Sequence, residues 1–246
     1  MAIREHDVPF RWTRLDLIAF ISFFIASIFF LPLLAFLLLR VFEPTLQFEN
    51  FSTVQRVLIQ ATMDALWLAF IVFLVKGRHR QPIFQTLRFV RIGKAAMLRY
   101  ALGGFLLALI FVFLSSLLFP TPSPSGIEKL PETPLSLTLV LLFGAVVGPF
   151  LEEVVFRGFV FKVVEDVYAA SLAVPVTTVL FAGLHLSQLG SNWPAFLVIL
   201  GVGYVLTLVR QRTGSVISSI IMHTTYNATI LGIAAFASIL APGPKR

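Results

Sequence analysis

Three short runs of polar residues interrupt the long apolar stretches in the second half of the sequence. They are Glu152-Glu153-Val154-Val155-Phe156-Arg157, Phe181-Ala182-Gly183-Leu184-His185 and His223-Thr224-Thr225-Tyr226-Asn227. An ionisable side chain inside a membrane span costs roughly 2.5–3.5 kcal/mol on insertion scales, so its presence there indicates a function. We therefore treat the polar residues of these runs as the candidate site.

The residue types in these runs suit acid–base chemistry. A carboxylate beside an imidazole can hold a water molecule and accept its proton, and general-base catalysis contributes typically ~10²–10⁴-fold. A second imidazole and an asparagine amide can donate hydrogen bonds to a developing oxyanion. His223 and Asn227 are four residues apart, so both project from the same side of one helix.

Helical spacing separates the two adjacent glutamates. Glu153 and Arg157 are four residues apart and are predicted to pair, which we interpret as a structural contact. Glu152 lies about 100° around the helix from Glu153, so it is predicted to face another partner.

Counting residues from the helix ends places three of these groups at one level. Glu152 lies ten residues before Lys162, His185 ten after Pro175 and His223 nine after Gly214. At about 1.5 Å per residue, each lies ~15 Å from the same membrane surface. The sequence therefore predicts one polar pocket that contains all three.

Other interpretations of single residues stay open at this point. A lone buried histidine is more often a satisfied residue of the bundle than a catalyst. Asn227 is equally well explained by a hydrogen bond to a neighbouring helix. Asp64, in another apolar run, is predicted to make a polar contact within the bundle.

The composition indicates that these groups lie in a membrane protein, because 58% of the residues are hydrophobic and only 13% are charged. We predict an all-α polytopic transmembrane bundle of about seven spans, or eight if the fourth or seventh is broken. The fifth and sixth spans are short for a membrane. The predicted spans cover residues 15–39, 57–75, 97–119, 135–161, 174–189, 194–209 and 216–240.

Charge and cysteine content limit the function and the topology. The net charge of +7 does not indicate nucleic-acid binding here, because the basic residues lie in loops beside the spans, where they control topology and contact anionic lipid. Residues 76–99 hold seven basic residues and no acid, so we predict a cytoplasmic N-terminus and an external C-terminus. The absence of cysteine excludes a thiol nucleophile and thiolate metal sites.

The Pro/Ser-rich stretch 120–134 cannot form a membrane helix and is the clearest internal boundary. We predict N-terminal spans in residues 1–119, an external linker in residues 120–134 and a catalytic membrane half in residues 135–246.

The three runs, in this order on separate predicted helices, resemble the motifs of the CPBP family of intramembrane endopeptidases, also called Abi or type II CaaX proteases. The resemblance covers roughly residues 134–240. It implies that Glu152 activates water together with His185, and that His223 and Asn227 stabilise the oxyanion. It further implies supporting roles for Glu153, Arg157 and Phe181, and a membrane-bound peptide or protein as substrate.

The resemblance also raises the question of zinc, for which Glu152, His185 and His223 are the possible ligands. The sequence has no His-Glu-x-x-His run, and we favour a metal-free mechanism. The rival functions are a proton-coupled transporter and a non-catalytic immunity or scaffold protein of the membrane. We expect the chain in the plasma (inner) membrane of a prokaryote.

Overall fold

All regular structure in the described part of the chain is helical. The computed structural model describes residues 10–118, 133–189 and 192–240. Its helices are α1 (Arg14–Phe42), α2 (Thr53–Val72, continued by a π-helical stretch Phe73–Arg78), α3 (Ile83–Thr86), α4 (Lys94–Leu118), α5 (Pro134–Val167), α6 (Ala170–Leu184), α7 (Leu186–Leu189), α8 (Trp193–Thr213) and α9 (Val216–Leu240). The all-α prediction is confirmed.

Six of these helices (α1, α2, α4, α5, α8 and α9) are long and apolar enough to cross a membrane. The fifth predicted span corresponds to α6, whose 15 residues reach only about 22 Å and fall short of the ~30 Å hydrocarbon core. The sixth is longer than predicted, since α8 has 21 residues. Neither α5 nor α9 is broken, so the described helices agree with about seven spans.

Local sequence signals set the helix ends. Thr13 and Ser52 begin α1 and α2 with capping boxes, in which each side chain accepts from the amide three residues on. Thr133 caps α5 in the same way, and Pro134 occupies its first turn, where a missing amide hydrogen costs nothing. Gly214 ends α8 with a φ of 64°, a left-handed conformation that glycine adopts freely. The rest of the predicted linker, residues 119–132, lies outside the described residues.

The first two helices pack on the second half of α5 through aromatic side chains. Phe20 and Trp12 both meet the ring of Phe159, at centroid distances of 4.8 Å and 4.9 Å. The Trp67 indole donates to the Ser27 hydroxyl at 2.7 Å, which joins α2 to α1. The outward faces of the helices carry large apolar side chains, among them Phe29, which is 70% exposed, and such faces suit contact with lipid.

Helix α4 packs along α9 and also contacts α8. The closest approach is at Gly104, where an added Cβ would overlap the backbone carbonyl of Met222. Helices α1 and α2 therefore contact α5, whereas α4 contacts α9 and α8.

Several loops meet at one end of the bundle. The side chain of His79, after α2, contacts Asp16 of α1 at 2.9 Å, and the Trp12 amide donates to Asp166 of α5. The amide of Val216, at the start of α9, donates to the Arg88 carbonyl at 3.0 Å. Because most of the basic residues of the flanking loops lie at this end, we call it the basic end.

Candidate active site

The run with two glutamates lies in the middle of α5, between two π-helical stretches. Residues Phe143–Val147 and Val154–Val160 are π-helical, and Gly148–Glu153 form one α-helical turn between them. At Gly148 an added Cβ would come within 2.8 Å of the Phe143 carbonyl oxygen, so this turn requires a residue without a side chain. Single π turns inside helices occur frequently at functional sites.

Glu153 and Arg157 form a fully buried ion pair. Arg157 Nη1 donates to Glu153 Oε1 at 2.8 Å, and both side chains have no exposed surface. The pairing predicted from their spacing is therefore present. Arg157 also donates from Nη2 to the Gly203 carbonyl at 2.8 Å and from Nε to the Thr207 hydroxyl at 3.2 Å. These bonds tie α5 to α8 and offset the cost of burying the charge.

Sequence reasoning missed Gly203 and Thr207, the partners of Arg157 on α8. They are four residues apart on a predicted span, a spacing that places a small residue and a hydroxyl on one face. An added Cβ at Gly203 would come within 2.8 Å of the Phe181 ring, so only glycine lets α6 and α8 approach this closely.

His223 lies between the two glutamates. Its Nδ1 is 2.9 Å from Glu153 Oε1, and its Nε2 is 3.8 Å from Glu152 Oε2. Because a carboxylate oxygen accepts, we assign the Nδ1 proton to this hydrogen bond, which fixes the orientation of the ring and turns Nε2 toward Glu152. Glu152 retains 18% of its side-chain exposure, whereas Glu153 retains none.

His185 terminates α6 and precedes the short helix α7. Its Nδ1 lies 3.0 Å from the Phe181 carbonyl oxygen, which can only accept, so Nδ1 carries the proton and Nε2 is left as an acceptor. Among the described residues, Glu152 makes an ion-pair contact with His223 but not with His185.

The Phe181 ring packs against three of the candidate groups. It lies 5.1 Å from the His185 ring and 5.8 Å from the His223 ring, measured between centroids. The guanidinium of Arg157 stacks 4.2 Å from its centre, a cation–π contact. Phe181 is 2% exposed, so it contacts all three of these polar groups from within the core.

Asn227, one turn after His223 on α9, contacts α5. Its Nδ2 donates to the Gly144 carbonyl oxygen at 2.8 Å. This is the contact with a neighbouring helix that the sequence left as an alternative. An amide nitrogen carries two hydrogens, so one donor remains after this bond.

Asp64 of α2 adds a third carboxyl group near Glu152. It is 2% exposed, accepts from Gln60 Nε2 at 2.9 Å and lies within electrostatic range of Glu152. Asp64 is therefore buried in the bundle, and its hydrogen bond is to Gln60 of the same helix.

The described side chains do not form a ready metal site. No group of three or more His, Asp and Glu side chains among them is arranged to hold a metal ion. Of the three possible zinc ligands, Glu152 and His223 face each other, and Nδ1 of His223 is engaged with Glu153. His185, the third possible ligand, makes no ion-pair contact with Glu152 among the described residues.

Residues 134–229 match the model of the family described as type II CAAX prenyl endopeptidase, Rce1-like. No curated protein and no solved structure gave a match. The matched segment contains Glu152, His185, His223 and Asn227. With its apolar helices, the chain is an integral membrane protein, and its residues 134–229 are similar to the Rce1-like type II CAAX prenyl endopeptidase family.

Proposed function

We propose that this chain is an intramembrane endopeptidase that hydrolyses a peptide bond of a membrane-associated peptide or protein with water activated by Glu152. The observation that carries this proposal is the arrangement of Glu152, His223 and Glu153. One glutamate is buried and orients the imidazole, whereas the other is partly exposed and faces the ring's second nitrogen at 3.8 Å. That distance exceeds a hydrogen bond and suits a bridging water.

The proposed reaction begins with Glu152 as general base. Glu152 accepts a proton from the water as its oxygen attacks the peptide carbonyl carbon, and a tetrahedral oxyanion forms. The carbon–nitrogen bond then breaks, and Glu152 returns the proton to the leaving amine. His185 Nε2, left as an acceptor by the bond from Nδ1 to Phe181, is the second group that holds the water.

The oxyanion requires donors, which we assign to His223 and Asn227. A proton on His223 Nε2 makes that nitrogen a donor, and the resulting positive charge of the ring is balanced by the Glu153 carboxylate at Nδ1. Asn227 supplies the amide hydrogen that Gly144 does not use. Donors fixed before the reaction stabilise a developing charge without reorganisation.

The short helix α6 supports access of water and substrate to this site. Its 15 residues end at His185, and α7 follows after a turn. An irregular backbone inside a membrane is tolerated where it lines a polar cavity or is buried in protein. We therefore place the substrate's scissile bond beside the turn at His185.

The test is cleavage of a membrane peptide by the purified full chain in liposomes, with a prenylated CaaX peptide and its unprenylated form as first substrates. We expect Glu152→Gln to lower kcat by about 10²–10⁴-fold because the general base is lost. His185→Ala and His223→Ala are expected to lower it as well. Glu165→Gln, on the same helix but paired with Lys162 near the basic end, is the matched control and should cleave like the wild type.

Two outcomes would overturn the proposal. Wild-type rates in the Glu152→Gln variant would remove the assigned base. Loss of wild-type activity on addition of a chelator, with recovery on addition of zinc, would replace the metal-free mechanism.

A further inference from the structure

The segment between α2 and α4 folds back over the turn that joins α8 to α9. The Arg88 carbonyl accepts from the Val216 amide at 3.0 Å, and the Val90 carbonyl accepts from the Ser215 hydroxyl at 2.6 Å. Leu87 is 1% exposed and anchors the segment in the core. These contacts fix the segment at the basic end of the bundle.

Arg88 has an uncommon backbone conformation, with a φ of 61°. A left-handed conformation is unfavourable for a residue with a side chain, and it persists only where the surroundings enforce it. Here it directs the guanidinium onto the end of α8, where Nε donates to the Gly214 carbonyl at 3.3 Å. The Gly214 amide in turn bonds the Arg210 carbonyl at 3.0 Å, so Arg88 lies on the helical turn that contains Arg210.

Arg210 is buried and has an unused donor. It is 3% exposed, its Nε donates to the Arg157 carbonyl at 3.0 Å, and its guanidinium lies 5.0 Å from the centre of the Phe161 ring. Its Nη2 has no hydrogen-bond partner among the described residues. A buried donor without a partner costs free energy, which a ligand's acceptor can recover.

The charges around Arg210 do not balance. Arg88 is within electrostatic range and has the same sign. The acids within range are Glu165 and Glu153, and each already pairs with another cation, Glu165 with Lys162 and Glu153 with Arg157. Among the described residues, these two guanidinium groups therefore have no anion of their own.

Apolar side chains on the same segment indicate where the missing anion comes from. Phe84 is 70% exposed and Val90 is 45% exposed, next to arginines at the basic end. Exposed aromatic residues beside arginines are typical of the membrane–water interface. An anion at this level of the bundle is most readily a lipid headgroup.

We propose that Arg88 and Arg210 form a binding site for one anionic phospholipid, whose phosphate accepts hydrogen bonds from both guanidinium groups. The lipid's acyl chains lie against Phe84 and Val90. Because Arg210 bonds the backbone of Arg157, lipid binding at this site supports the α5–α8 contact that holds the Glu153–Arg157 pair.

The test is native mass spectrometry of the full chain with phosphatidylglycerol or phosphatidylcholine, which measures retained lipid and does not depend on proteolysis. We expect selective retention of phosphatidylglycerol by the wild type. Retention should be about tenfold weaker in Arg88→Gln, the effect of losing one charge-assisted hydrogen bond. Arg91→Gln, an exposed arginine of the same loop, is the matched control and should retain the lipid.

Thermal unfolding in phosphatidylcholine alone checks that the variants fold. The Arg88→Lys variant keeps the positive charge and should retain an intermediate amount of phosphatidylglycerol. Equal losses in Arg88→Gln and Arg91→Gln would show diffuse attraction by the loop and overturn the site. No preference of the wild type for phosphatidylglycerol would overturn it too. Equal thermal stabilisation in phosphatidylcholine by inorganic phosphate would assign the site to a free anion.

Discussion

Two adjacent glutamates have opposite surroundings, and this difference divides their roles. Glu153 has no exposed surface and bonds both Arg157 and His223 through Oε1. Glu152 remains 18% exposed and faces His223 across a gap that a water can bridge. A residue with that much accessible surface can meet a substrate, whereas Glu153 acts by fixing its neighbours.

Removal of Arg157 should be among the most destabilising single changes in the chain. In Arg157→Met, Glu153 loses its ion pair inside the bundle, which costs about 3–5 kcal/mol when one partner of a buried pair is removed. We expect a lower thermal unfolding midpoint in detergent, measured as the loss of the helical circular dichroism signal on heating.

The double variant Glu153→Gln/Arg157→Met is the control for this prediction. It leaves no unpaired charge, and the glutamine oxygen still accepts from His223 Nδ1, so the double variant should be more stable than Arg157→Met alone. If the double variant were less stable than the single one, the cost would come from packing around Phe181 and Gly203 and not from the charge.

At the scale of helices, the contact between α4 and α9 sets the position of His223. An added Cβ at Gly104 overlaps the backbone carbonyl of Met222, which cannot move out of the way as a side chain would. We expect Gly104→Ala to displace α9 and to lower the cleavage rate, since a misplacement of about 1 Å can cost ~10²-fold. The measurement is kcat in liposomes beside the unfolding midpoint.

The preceding residue provides the control. At Gly103 an added Cβ would lie 3.5 Å from the Met222 side chain, an ordinary contact with a flexible group. Gly103→Ala should therefore keep the wild-type rate and stability. Equal rates for Gly103→Ala and Gly104→Ala would mean that the position of α9 does not limit the reaction.

Sequence reasoning found those features that depend on spacing within one helix. The four-residue separation of Glu153 and Arg157 was enough to predict their pair, and apolar length was enough to predict α1, α2 and α4. Contacts between helices were beyond it, because the crossing of α5 and α8 decides that Arg157 meets Gly203 and Thr207. The π-helical stretches of α5 have no signal in residue type, and Gly148 between them is explained only once the Phe143 carbonyl is seen beside it.

At the scale of the molecule, the helix connections collect positive charge at one end. The Asp16–His79 contact joins the start of α1 to the end of α2, and the bonds from Val216 and Ser215 bring the α3 segment to the start of α9. His223 is seven residues, or about 10 Å, into α9 from this end. The proposed site is therefore nearer the basic end than the opposite end of α9.

The basic end is expected in the cytoplasm, because loops rich in arginine and lysine are retained there. The chain has no cysteine, so a single introduced cysteine gives an unambiguous label. Thr45, between α1 and α2, and Gln85, in α3, are exposed at opposite ends of the bundle. In intact cells a membrane-impermeant maleimide should label Thr45→Cys, whereas Gln85→Cys should react only after the membrane is permeabilised. The reverse pattern would place the basic end outside, and the proposed site would then receive its substrates from the opposite leaflet.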